Sequence, residues 1–67
     1  MTPEQRADTL KNAMHEKDMK ANQLSELTGL KESFLLDLLS GKLEAPEKSS
    51  LSVIAETLNI PLSELVD

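Results

Sequence analysis

Apolar residues fall in short clusters at three- and four-residue spacing, and the later clusters are closed by a glycine or an asparagine. Ala7, Leu10, Ala13 and Met14 form the first stripe, between Met1 and about Asp18; the spacing is that of one helix face. Thr2, Pro3, Glu4 and Gln5 are its start signal. A hydroxyl caps free N–H groups, proline suits the first helical position, and acidic or amide side chains suit the first turn. Arg6, Asp8, Lys11, Glu16 and Lys17 occupy the remaining positions. A second helix is predicted for Ala21 to Thr28, with Leu24 and Leu27 inward and Gly29 as its left-handed stop. A third runs from Lys31 to Ser40 and closes at Gly41. Pro46 opens a fourth, in which Leu51, Ile54, Ala55 and Leu58 follow i, i+3, i+4, i+7; Asn59 ends it in the left-handed conformation. Pro61 starts a last turn or two, with Leu62 and Leu65 inward. Connections of two to six residues make this one compact all-α domain of five helices, residues 1–67.

Composition supports the helical reading. Thirteen of the 26 apolar residues are leucine, against two valines, two isoleucines and one aromatic, Phe34; strands draw on the β-branched and aromatic types. The absence of cysteine excludes a disulfide framework, thiolate catalysis and Cys-ligated zinc. No apolar run approaches the ~18 residues that span a bilayer, and the N-terminus lacks the basic-then-apolar order of a secretion signal. A cytoplasmic protein with no membrane partner is therefore expected.

Catalytic chemistry is hard to place. His15 has no second histidine or cysteine at ligand spacing, so it reads as a surface residue. Ser49 and Ser50 belong to the start of the fourth helix, with no base set to activate them. No phosphate loop, carboxylate pair or triad is present, and a domain this small has little room for a substrate pocket. The expectation is a protein that is not an enzyme and uses no metal or cofactor.

Residues 21–40 carry the functional signal. Leu24 sits on the first helix, small Ser25 follows it, Gly29 makes the turn, and Leu35 and Leu38 face inward on the second helix. A small residue at the crossing lets two helices approach steeply, and glycine supplies a turn that a side chain would block. This is helix-turn-helix punctuation. Downstream come Gly41-Lys42, Ala45-Pro46 and the run from Leu51-Ser52-Val53-Ile54-Ala55 through Leu58-Asn59-Ile60 to Leu62-Ser63-Glu64-Leu65. From about Leu10 to Leu65 the chain resembles the lambda-repressor-like (Cro/Xre) DNA-binding family.

The resemblance implies a small sequence-specific transcriptional regulator of bacterial, phage or plasmid type, acting in the bacterial cytoplasm or a phage-infected cell. Its third helix would lie in the major groove of double-stranded DNA while the second crosses the backbone. Base-edge contacts would fall to Glu32, Ser33 and Asp37, and phosphate contacts to Lys20, Ala21, Lys31 and Lys42. A homodimer would form through Leu62, Leu65 and Val66. Relatives commonly place an amide where this chain has Ala21, and polar groups where it has Phe34, Leu36 and Leu39. Those departures motivate an alternative: a protein-interaction module on the same fold, an antirepressor or regulator partner, binding through Phe34, Leu36 and Leu39. Helical geometry cannot bury Leu35, Leu36, Leu38 and Leu39 against one core, so Leu36 is expected exposed and Phe34 partly so.

Charge bears on the choice. The net charge is −5. Residues 20–42 balance Lys20, Lys31 and Lys42 against Glu26, Glu32 and Asp37, whereas residues 43–67 set only Lys48 against Glu44, Glu47, Glu56, Glu64 and Asp67. The expected DNA face is thus neutral on an acidic protein, which permits phosphate contact without strong general attraction.

Overall fold

The computed structural model describes residues 1–66. Four α-helices, α1 (Pro3–Glu16), α2 (Ala21–Thr28), α3 (Glu32–Leu39) and α4 (Lys48–Leu58), are followed by one 3₁₀ turn, Leu62–Glu64. The expected fifth helix is therefore only this turn, started by extended Pro61 and closed by Leu65 and Val66 N–H groups donating to the Leu62 carbonyl. The fourth helix begins two residues later than expected: Glu47 is its N-cap, and Pro46 lies in the connection before it.

α1 starts as its sequence predicts. Thr2 Oγ1 accepts from the Gln5 N–H at 3.0 Å, and Gln5 Oε1 accepts from the Thr2 N–H at 2.8 Å. This reciprocal capping box satisfies two donors that have no partner inside the helix. Three helices end in one way. Asp18, Gly41 and Asn59 each adopt positive φ. The next residue in each case, Met19, Lys42 or Ile60, donates its N–H five residues back, to the carbonyl of Met14, Asp37 or Ala55. That closure turns the chain sharply and occupies carbonyls left over at the helix end. After α1 and α4 it also returns an apolar residue, Met19 or Ile60, to the core.

The core gathers Leu10, Ala13 and Met14 from α1, Leu24 from α2, Leu35 and Leu38 from α3, Leu51, Ile54, Ala55 and Leu58 from α4, and Leu65. α3 packs on α1 and α2, α4 packs on α2, and the 3₁₀ turn packs on α4. α3 is thus held on two sides while one face stays open.

Two placements differ from the sequence reading. Leu27, expected inward, is 63% exposed. Leu24 defines the inner face of α2 with half-buried Ala21, Ser25 and Thr28, and Leu27 falls off that i, i+3, i+4, i+7 stripe. Arg6, read as one of the charged positions outside the apolar set, is buried, with 7% of its surface exposed, on the same face of α1 as Leu10 and Ala13. Its Nε donates to the Leu65 carbonyl at 2.9 Å and its Nη1 to the Leu43 carbonyl at 3.4 Å. The guanidinium fastens α1 to the α3–α4 connection and to the end of the chain.

Candidate nucleic-acid interface

The unit formed by α2, the turn and α3 is built around Gly29, whose φ of 77° closes α2 in the left-handed region. Side chains from α2 tie down the turn that follows. The Thr28 hydroxyl donates to the Leu24 carbonyl at 2.7 Å and accepts from the Leu30 N–H at 3.2 Å. Ser25 Oγ donates to the Leu30 carbonyl. Ser25 is therefore more than a small residue at a crossing: it and Thr28 engage both backbone polar groups of Leu30. The Thr28 role was not read from the sequence. Threonine near a helix end is a known self-capping type, and that was the available signal.

α3 shows two faces. Leu35 and Leu38 are buried, and Phe34 and Leu39 pack half-buried against the same core. Glu32, Ser33, Leu36 and Ser40 are exposed and Asp37 is half-buried. At about 100° per residue, Ser33, Leu36, Asp37 and Ser40 share one arc of about 100°, with Glu32 beside it at the first turn. The expected base-reading residues thus lie on the open side of α3, and Leu36, 51% exposed, lies among them. Of the three apolar residues considered as a protein-docking patch, Leu36 alone projects clear of the core.

The lysines stand at the ends of the two helices. Lys20 is the N-cap residue of α2, Lys31 is that of α3, and Lys42 follows α3 after Gly41. All three are exposed. The Lys20 N–H is occupied by Gln23 Oε1 at 2.8 Å, which leaves the Ala21 and Asn22 N–H groups as first-turn donors without an intrahelical partner. Ala21 is half-buried and has only this backbone group to offer. Asn22, the next residue, is exposed and carries an amide; its placement was not anticipated.

At the other end, Leu65 is fully buried and packed into the core. That removes it from a dimer surface, because its side chain is already spent within the protomer. Leu62 and Val66 are half-buried against the core. Among the described residues no group of His, Asp or Glu is arranged to hold a metal ion, and no helix is long and apolar enough to cross a membrane.

This architecture is that of an all-α helix-turn-helix domain. Residues 9–67 match the family model of the Cro/C1-type HTH DNA-binding domain, and the chain belongs to that family. The family is one of DNA-binding domains. A crystal structure of an HTH_3 family transcriptional regulator from Vibrio cholerae is similar, with a TM-score of 0.84 and 26% sequence identity. The match covers 97% of this chain and 36% of that one, so the chain spans about a third of that regulator's length. Comparison with curated proteins gave no match.

Proposed function

We propose that the protein is a sequence-specific regulator of bacterial, phage or plasmid type that inserts α3 into the major groove of operator DNA, in the cytoplasm of its host. One observation carries this reading: the open polar face of α3 is bracketed by exposed lysines at the start of α2, the start of α3 and the end of α3. Glu32, Ser33 and Asp37 are the base-edge residues. A carboxylate accepts from cytosine N4, and serine contacts several bases. Lys20, Lys31 and Lys42 contact phosphates, and Ala21 contributes its backbone N–H at the positive end of α2. With three lysines engaged, the logarithm of affinity falls against the logarithm of salt with a slope of about −3 per protomer. Such a shallow slope means weak binding by one protomer. A homodimer joined through Leu62 and Val66 doubles the contacts and reads two half-sites about 34 Å apart.

The exposure of Leu36 favours a second reading, a protein-interaction module whose partner docks on α3 at Phe34, Leu36 and Leu39. An amide NMR titration with random-sequence duplex DNA at about 50 mM salt separates the two. Shifts at Lys20, Lys31 to Asp37 and Lys42 that vanish at high salt are expected of the regulator. A spectrum unchanged by DNA refutes it and leaves the docking module.

A further inference from the structure

Leu36 is the one residue on the open arc of α3 that no polar readout accounts for. It is 51% exposed, although a leucine at that place gains nothing from solvent. Its neighbours on the arc are Ser33, Asp37 and Ser40, so on α3 itself it is not part of an apolar stripe. Phe34 and Leu39, which would have to extend it into one, lean on the core. Leu27, the other strongly exposed leucine, belongs to α2. A lone leucine ringed by small or polar side chains is a poor anchor for a protein, which needs a contiguous buried patch.

It suits a different surface. The major groove presents one apolar feature, the 5-methyl group of thymine, amid hydrogen-bonding edges. We infer that Leu36 is a specificity-determining residue that packs on a thymine 5-methyl group in the operator half-site. The inference rests on the reading of α3 as the major-groove helix. It adds a base preference to it: thymine at the Leu36 position, near cytosine contacted by Asp37 or Glu32. Serines at 33 and 40 leave the leucine room to reach the base without a competing long side chain. Its methyl groups would leave water on binding, so the contact discriminates by burial alone and is insensitive to salt.

The test begins by selecting bound duplexes from a random pool with the 67-residue protein. Each thymine of a selected duplex is then replaced, one at a time, by deoxyuridine, which removes only the 5-methyl group. At one position this should weaken wild-type binding about fourfold, the factor that burial of one methyl group supplies. Leu36→Ala should remain folded by circular dichroism, bind the thymine duplex weakly, and ignore that same replacement. Lys42→Ala should bind more weakly while keeping the full thymine preference. If duplexes are selected but no deoxyuridine position matters, the Leu36 assignment fails and groove reading by α3 stands. Equal binding of both duplexes by wild type and Leu36→Ala likewise overturns it. Unfolding of Leu36→Ala would refute its place on the open face. If no duplex is selected at all, the DNA-reading proposal falls and this inference falls with it.

Discussion

Replacing Arg6 by methionine tests how the ends of the chain are fastened. Methionine keeps an unbranched stem of similar reach and removes the guanidinium. Two hydrogen bonds disappear, that of Nε to the Leu65 carbonyl at 2.9 Å and the longer one of Nη1 to the Leu43 carbonyl at 3.4 Å. A hydrogen bond to a charged group contributes about 1.5–3 kcal/mol, and a carbonyl left buried without a donor carries a similar penalty. The longer bond adds little, so the expected loss is about 2–3 kcal/mol. A chain of this length has about 3–10 kcal/mol of stability in all, which makes Arg6 a large share. Urea denaturation followed by far-ultraviolet circular dichroism reads the effect directly. With a slope of about 1 kcal/mol per molar urea, the midpoint should fall by about 2 M at unchanged slope. The loss should also persist in 0.5 M salt, since buried hydrogen bonds are screened far less than surface ion pairs. A midpoint shift below about 0.5 M would refute the reasoning, because it would mean that water serves the two carbonyls as well as arginine does.

Three further outcomes follow from the same geometry. Leu35→Ala, at a fully buried site on α3, should destabilise by about 2–5 kcal/mol; an unchanged thermal midpoint would mean that α3 is rotated from its described orientation. Gly29→Ala meets open space but must hold φ at 77°, so its loss is backbone strain of about 1 kcal/mol, checked by urea denaturation, and a stabilised variant would contradict the turn. For DNA binding, Lys42→Ala should weaken all sequences alike and lower the salt slope by about 1, whereas Glu32→Gln should alter preference at a single base position. Binding isotherms at several salt concentrations check the first and sequence selection the second.

The helices were legible where periodicity and punctuation agree. The Thr2–Gln5 cap, the Leu10–Met14 stripe, the Gly29 and Gly41 stops and the left-handed Asn59 all stand as their residue types predict. Other features depend on contacts that spacing does not encode. Arg6 falls within the α1 stripe, four residues before Leu10 and seven before Ala13, but its charge argues for solvent until the Leu65 and Leu43 carbonyls are seen to meet its guanidinium. Leu27 has the chemistry of a core residue but the wrong angle on an eight-residue helix, too short for its pattern to define one face. Asp18 ends α1 in a conformation that a search for glycine misses. At the interface, the alternative patch at Phe34, Leu36 and Leu39 divides between core and solvent. Helical geometry alone set Leu36 outside and Phe34 partly so, as they stand; the half-burial of Leu39 depends on the packing of the core against α3.

In the proposed complex with DNA, the side-chain bonds from Ser25 and Thr28 to Leu30 limit how much of the interface must be assembled on binding. Both polar groups of Leu30 are engaged from α2, so the turn into α3 is fixed from the helix before it, while packing on α1 and α2 holds α3 itself. The two helices should meet the duplex as one rigid body, with little backbone entropy left to lose. Affinity then depends on the contacts themselves, and backbone order parameters in α3 should barely change on binding.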